Sequence, residues 1–155
     1  MYVQALGWLQ DSWLGMVARG AGWTYAALNT AHVLGAALVL GAIAVFDVLV
    51  LLRRGPDAVA VARVAIPLAT IGLIVQIGTG LFLLAADARA TGMNPVFLAK
   101  LAFIALGIVN VAALHLRLGP AWRGGFPASE ARLSALVSLA AWTLVLVAGR
   151  MIAYV

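Results

Sequence analysis

A few ionisable side chains stand inside long apolar stretches of this sequence, where each needs a partner or a cavity. His32, Lys100 and Arg150 are predicted to share one layer of a helical bundle. Two cations and an imidazole in one layer repel one another unless a negative charge sits among them. Asp11 and Asp87 are the carboxylates predicted on that side, so either they or an anionic ligand complete the layer.

Three kinds of ligand suit this layer. In haem b sites an imidazole is an axial iron ligand and cations hold the propionates, so His32 would be the metal ligand. His115 is predicted about 20 Å away by helix rise, so a second axial ligand would come from elsewhere: Met16, Met93, Met151, Lys100 or water. A quinone would accept hydrogen bonds from His32 and Lys100. A proton or anion pathway would follow the polar stripe from His32 to Asp47.

Hydrolytic chemistry is not expected. The sequence has no HExxH or GxSxG motif and no paired carboxylates. It also has no cysteine, which excludes disulfides, thiolate metal sites and cysteine nucleophiles. The chain is therefore not expected to be an enzyme on its own, while a role as an electron-transfer component is left open.

The composition indicates a membrane protein. Of 155 residues, 65% are hydrophobic and 10% are charged, which is more apolar surface than a soluble domain of this size buries. Disordered chains need low hydrophobicity and are excluded as well. At about 20 residues per crossing, the length allows four or five transmembrane helices. In a membrane protein, a net charge of +5 reflects basic residues in the loops on one side of the membrane, so no nucleic-acid partner is expected.

The hydrophobic pattern predicts an all-α, integral membrane four-helix bundle that occupies residues 1–155 as a single domain. The transmembrane helices are predicted at residues 24–52, 64–86, 95–117 and 130–154. Gly55-Pro56 is expected to end the first helix, and Pro67 to lie in the first turn of the second. Asn94 is predicted to cap the third. One amphipathic helix that lies in the membrane interface is predicted at residues 3–18.

Helical spacing sorts the polar residues of the bundle into two layers. The outer layer is the predicted cofactor-binding set: Asn29, His32, Thr79, Lys100 and Arg150. The other layer, near the predicted cytoplasmic surface, is a candidate second site: Asp47, Asn110 and His115. Alternatively, Asp47 is expected to pair with Arg53, Arg54 or His115 as a structural lock.

The loops predict the orientation of the bundle. Most arginines are predicted at one end: Arg53, Arg54, Arg63, Arg117, Arg123 and Arg132. The loops of the opposite end carry Arg19 and Arg89. The positive-inside rule places the arginine-rich end in the cytoplasm. Both termini are therefore expected on the non-cytoplasmic side.

Four segments carry a resemblance to a known family: Asn29-Thr-Ala-His32-Val-Leu-Gly35, Phe46-Asp47, Met93-Asn94-Pro95-Val-Phe97-Leu-Ala-Lys100 and Ala148-Gly149-Arg150-Met-Ile-Ala-Tyr154. Together they resemble an uncharacterised bacterial family of small four-helix inner-membrane proteins, over nearly the whole chain. The architecture is more loosely similar to the copper-resistance-D and cytochrome b superfamily, from whose paired-histidine pattern this sequence departs. The resemblance implies a multi-pass protein of the bacterial inner membrane.

The predicted function is binding of a redox-active or anionic small molecule, haem b or a quinone, in an outer-side pocket of the membrane. Two alternatives stay open. One is a non-catalytic subunit or scaffold of a larger complex. The other is a small solute or proton transporter, which four helices without inverted repeats disfavour. The expected partner is the lipid bilayer, while a membrane or periplasmic redox partner and a homo-oligomer are left open.

Overall fold

The computed structural model describes residues 1–118 and 128–154, with the side chains of all of these except 55, 118 and 128–130. The described residues form seven α-helices and one short 3₁₀ helix. The α-helices are α1 (Tyr2–Gln10), α2 (Trp13–Arg19), α3 (Thr24–Leu51), α4 (Gly55–Ala86), α5 (Ala88–Met93), α6 (Pro95–Leu118) and α7 (Ala128–Met151). The predicted all-α class is confirmed.

Four of these helices, α3, α4, α6 and α7, are long and apolar enough to cross a membrane. They pack as a row in the order α4, α3, α7, α6. Most of their large apolar side chains are exposed at the outside of this row, as expected for helices solvated by lipid. The predicted membrane class is therefore supported, while the kind of membrane and the side of each terminus stay predictions.

The helices α3 and α4 approach each other closely at a pair of glycines. A Cβ on Gly35 would lie 3.0 Å from the carbonyl oxygen of Gly72, and a Cβ on Gly72 would lie 2.8 Å from that of Gly35. Small residues at such a crossing let two backbones pack directly in an apolar solvent. This contact sets the spacing that brings side chains of α3 onto α4.

The connection from α3 to α4 is shorter than predicted. Arg53 has a left-handed φ of 60°, and its N–H donates to the Val50 carbonyl at 3.1 Å. The Arg54 N–H donates to the Leu49 carbonyl at 2.9 Å, which completes a Schellman motif. The prediction that Gly55-Pro56 ends the first helix is wrong, because Pro56 lies in the first turn of α4, where no N–H is needed.

The second predicted helix, 64–86, is therefore too short at its start, and Pro67 lies inside α4 rather than in its first turn. The boundaries of the other long helices differ from prediction by a few residues, and a 3₁₀ helix, Ile152–Tyr154, follows α7. The Asn94 side chain caps α6 as predicted, since its Oδ1 accepts from the N–H of Val96 at 2.8 Å and of Phe97 at 3.3 Å. The loop that contains Arg123 lies outside the described residues.

The predicted single helix over residues 3–18 is instead two helices, α1 and α2. Asp11 and Ser12 separate them, and the Ser12 hydroxyl donates to the Leu9 carbonyl at 2.6 Å. Together with α5, which was predicted as a loop, they form an N-terminal cap over one end of the bundle. The Arg19 guanidinium holds this cap in place by donating to the carbonyls of Ala85 at 3.1 Å and Ala86 at 3.0 Å.

Candidate functional site

His32 is oriented on α3 by a hydrogen bond to α4. Its Nδ1 lies 2.9 Å from the Thr79 hydroxyl oxygen, and that hydroxyl lies 2.6 Å from the Val75 carbonyl. A hydroxyl has one hydrogen, and Thr79 donates it to Val75, so towards His32 it can only accept. Nδ1 therefore carries the imidazole proton. In the neutral ring, Nε2 keeps a free lone pair.

Two further residues of α4 hold His32 against the helix. A Cβ on Gly80 would lie 3.2 Å from the His32 Cε1 atom, so the absence of a side chain there lets the ring approach the α4 backbone. One turn earlier, the Gln76 amide donates to the His32 carbonyl. The ring and the backbone of His32 are thus both fixed by α4.

Lys100 reaches the same region from α6. Its aliphatic stem packs on α7, where a Cβ on Gly149 would lie 3.6 Å from Cε and 3.5 Å from Nζ. The ammonium lies close enough to His32 for a direct electrostatic interaction. Within the described residues, Lys100 has no hydrogen bond or ion pair. Its three N–H groups are therefore available to a ligand.

The structure does not bring all predicted outer-layer residues together. Arg150 is exposed and engaged locally, since its guanidinium donates to the Tyr154 hydroxyl at 2.6 Å and lies 5.0 Å from the centre of that ring. Asn29 is exposed. Asp11 pairs with Arg89 at 3.4 Å on the surface of the cap. We call the remaining three residues, His32, Thr79 and Lys100, the outer site.

The candidate second site is part of a large apolar cavity. A cavity of about 400 Å³ lies between the four long helices, and Asp47, Asn110 and His115 all line it. Its walls are mainly apolar and include Val39, Ile43, Leu73, Ile108, Val111 and Leu114. We call this space the inner cavity. The structure thus brings together the three residues that the sequence grouped by depth alone.

Three polar residues of α7 join this cavity, and the sequence analysis missed them. The Ser138 hydroxyl is hydrogen-bonded to the Asp47 carboxyl. The Ser134 hydroxyl donates to the Asn110 side-chain oxygen at 3.1 Å, and the Asn110 amide donates to the Ser134 carbonyl at 2.9 Å. Ser134, Ser138 and Trp142 recur every four residues and therefore share one face of α7, and this spacing would have indicated them.

The lock predicted for Asp47 is not the one observed. Its carboxyl is bonded to Ser138, while Arg54 pairs with Asp57 at 2.6 Å. The His115 Nδ1 lies 2.9 Å from the Val111 carbonyl one turn earlier. His115 lines the inner cavity beside Asp47, about 22 Å along α3 from the level of His32. One haem therefore does not reach both histidines.

The described residues contain no group of three or more His, Cys, Asp or Glu side chains that would hold a bare metal ion. The chemistry of the outer site is therefore that of one imidazole lone pair, one ammonium and a hydroxyl already engaged. Such a set suits hydrogen bonding to a ligand. It also offers one axial ligand to a haem iron.

Comparisons with known proteins support membership of a family. No curated protein and no solved structure matches the chain. The model of one family matches residues 5–155, nearly the whole chain. This agrees with the predicted resemblance to an uncharacterised family, while the bacterial origin and the looser superfamily similarity stay predictions. The chain belongs to the family described as a family of unknown function, DUF6644.

Proposed function

We propose that this chain is a membrane protein that binds a quinone-class molecule at the outer site. The observation that carries the proposal is the hydrogen-bond chain from His32 through Thr79 to Val75. It holds the imidazole in one orientation and leaves Nε2 as an acceptor. Lys100 adds a donor in the same place that has no partner among the described residues.

This pair of groups suits both redox forms of a quinone. A quinone carbonyl only accepts hydrogen bonds, and the Lys100 ammonium only donates them. A quinol hydroxyl has a hydrogen to donate, and the His32 Nε2 lone pair accepts it. An outer site with one donor and one acceptor therefore binds either form without rearrangement of the protein.

The surroundings suit a lipid-soluble ligand. His32 and Lys100 lie on helices that are long and apolar enough to span a membrane, and both side chains are half-buried. A ligand that partitions into the bilayer reaches such residues from the lipid phase. Most of its contacts would be apolar, with a few polar groups that set its orientation, as in typical small-molecule sites.

Haem b fits the outer site less well. His32 suits an axial ligand, because ligating histidines usually donate their other ring N–H to a fixed acceptor. Lys100 suits a propionate. However, His115 lines the inner cavity, Arg150 is engaged by Tyr154, and Met16, Met93 and Met151 are exposed. Haem thus finds one ligand and one propionate partner here, whereas the quinone finds the donor it needs in Lys100 and the quinol finds an acceptor in His32.

Binding of decylubiquinone and its quinol to the full chain in lipid nanodiscs tests the proposal. We expect saturable binding of both forms. Decylubiquinone affinity should fall about tenfold in Lys100→Met, and decylubiquinol affinity should fall about tenfold in His32→Phe, because each variant loses the hydrogen bond to that form in an apolar site. His115→Phe and Arg63→Met make matched changes elsewhere and should bind like the unmodified chain.

Two results would refute the proposal. One is decylubiquinone binding that Lys100→Met leaves unchanged together with decylubiquinol binding that His32→Phe leaves unchanged. The other is a Soret absorption band in the purified protein that is lost in His32→Phe, because this would assign the imidazole to haem iron.

A further inference from the structure

We infer that the inner cavity is a second ligand site, which takes an apolar molecule carrying one hydroxyl group, that is, a lipid-soluble alcohol or phenol. The cavity volume of about 400 Å³ falls within the range of about 300–1,000 Å³ that small-molecule sites occupy. This site shares no residue with the outer site.

Two buried polar atoms in the wall of the cavity lack a partner. Asp47 is 3% exposed and Trp142 is 7% exposed, and both residues line the cavity. Within the described chain, the Asp47 Oδ2 atom and the Trp142 Nε1 atom have no hydrogen-bond partner. Buried polar groups in folded proteins are nearly always hydrogen-bonded to protein or to ordered water, so two such atoms in one cavity call for a partner from outside the chain.

A hydroxyl group matches the hydrogen-bonding capacity of both atoms. It has one hydrogen and two lone pairs, so it donates to an ionised Asp47 and accepts from the Trp142 N–H. If Asp47 is protonated and donates instead, the hydroxyl accepts from both residues. A carbonyl leaves an ionised carboxylate unmatched, and an ammonium leaves the indole N–H unmatched. The hydroxyl therefore fits either protonation state of Asp47.

The neighbouring polar groups do not compete for this position. Asn110 and Ser134 are bonded to each other, and Ser138 is bonded to Asp47. The Thr70 hydroxyl, which also lines the cavity, donates to the Ile66 carbonyl at 2.9 Å. The His115 Nδ1 atom lies 2.9 Å from the Val111 carbonyl. Asp47 and Trp142 are the lining residues whose buried polar atoms have no partner within the described chain, so we assign the orientation of the ligand to them.

The Trp142 indole is held in place by α6. A Cβ on Gly107 would lie 3.3 Å from Nε1 and 3.1 Å from Cε2, so the indole packs directly on the α6 backbone. The Asp47 carboxyl has more freedom, because rotation about its terminal torsion is soft. The carboxyl is therefore the adjustable side of the proposed site, and Trp142 is the rigid side.

The remaining walls of the cavity are apolar and suit the apolar part of the proposed ligand. All four long helices contribute apolar side chains to its walls. The cavity lies between α4 and α6, which are the two ends of the helix row. A carboxylic acid is disfavoured as the polar group, because its charge would lie beside Asp47 in a medium that screens poorly. An uncharged hydroxyl has no such cost.

Binding of 4-octylphenol to the full chain in lipid nanodiscs tests this inference, with octylbenzene as the same molecule without its hydroxyl group. We expect 4-octylphenol to bind saturably, about tenfold more tightly than octylbenzene. Trp142→Phe removes the indole N–H, and Asp47→Leu removes the carboxyl at similar volume. Each should weaken 4-octylphenol binding about tenfold and leave octylbenzene binding unchanged.

Matched controls separate this effect from a loss of folding. Trp23→Phe changes an exposed tryptophan, and Asp57→Leu changes an exposed aspartate of α4, so both should keep the affinity of the unmodified chain. Asp47→Leu should unfold at a temperature close to that of the unmodified chain, because removal of the unmatched oxygen Oδ2 offsets the loss of the hydrogen bond to Ser138. Equal affinity for 4-octylphenol and octylbenzene would overturn the inference, as would unchanged 4-octylphenol binding in both cavity variants. Neither result would affect decylubiquinone binding at the outer site, which rests on His32 and Lys100.

Discussion

Across the interface between α3 and α4, the Thr79 hydroxyl accepts a hydrogen bond of 2.9 Å from Nδ1 of His32. The hydroxyl is held in this role because it donates to the Val75 carbonyl within its own helix. A threonine in a helix often makes this bond to the carbonyl four residues earlier. Here the local bond also selects the imidazole tautomer, so helix geometry determines which ring nitrogen faces a ligand.

Thr79→Val should weaken quinol binding without unfolding the protein. Valine keeps the shape of threonine but cannot accept from Nδ1, so the ring loses its fixed orientation. Since a net hydrogen bond contributes about 1 kcal/mol, we expect the affinity for decylubiquinol to fall about fivefold. Thr79→Ser should restore it. Thr70→Val makes the same change on the same helix, where the hydroxyl also bonds four residues back, and should have no effect on this binding.

Arg150→Met should leave quinone binding unchanged. The sequence predicts Arg150 in the outer layer, but its guanidinium is exposed and bonded to Tyr154. Lys100→Met should weaken decylubiquinone binding about tenfold in the same titration, because it removes a charged hydrogen-bond donor. If Arg150→Met lowered the affinity for decylubiquinone as much as Lys100→Met does, Arg150 would be part of the site and the arrangement described here would be contradicted.

Gly72→Ala should destabilise the packing of α3 on α4. The added Cβ would lie 2.8 Å from the Gly35 carbonyl oxygen and 3.0 Å from the Leu38 Cβ, so the helices must separate. We expect a loss of about 1–3 kcal/mol in the free energy of unfolding, measured by SDS titration in mixed micelles. Gly78→Ala adds the same atom to α4 where nothing lies within 4 Å, and its stability should be little changed. Equal stabilities for the two variants would show that this glycine contact is unimportant.

Arg19→Met should loosen the N-terminal cap while the four long helices stay folded. The guanidinium donates to Ala85, Ala86 and, at 2.8 Å, to the Gln10 carbonyl. The last carbonyls of a helix have no partner within the helix, so the variant leaves two of them unsatisfied at the end of α4. Hydrogen–deuterium exchange should become faster in residues 2–19 and 88–93. Arg89→Met removes an exposed ion pair of 3.4 Å and should have a smaller effect, since such pairs contribute about 0–1 kcal/mol.

Much of the fold could be predicted because its determinants are local. The long apolar runs indicate four spanning helices, and the Asn94-Pro95 pair marks the start of α6 through a side-chain cap and a preset φ. The start of α4 is harder to predict, because Gly55-Pro56 suits either the end of one helix or the first turn of the next. The Schellman turn at Arg53 decides between them, and it uses a non-glycine residue in a left-handed conformation. That choice is rare and leaves no pattern in the sequence.

The outer site could be predicted only in part, because it depends on the rotation of helices about their axes. Periodicity placed His32, Thr79 and Lys100 at one depth. It could not show that Arg150 turns to Tyr154, although the four-residue spacing of that pair is a helical contact. The inner cavity could also be predicted only in part. Depth along the helices groups Asp47 with Asn110, but the hydrogen bond of Asp47 to Ser138 depends on how α3 packs on α7.

Protection of Lys100 from chemical modification tests the central claim most directly. Lys100 is the only lysine in the sequence, so a membrane-permeant amine-reactive reagent modifies one side chain besides the chain's amino terminus, and mass spectrometry separates the two. We expect saturating decylubiquinone to slow modification of Lys100 about tenfold in the unmodified chain. Decylubiquinol should protect Lys100 as well, and in His32→Phe the same protection should require about tenfold more decylubiquinol, because its hydroxyl loses the His32 acceptor. The amino terminus should react equally fast in every case. A Lys100 modification rate that does not change with decylubiquinone concentration would contradict a quinone site formed by His32 and Lys100.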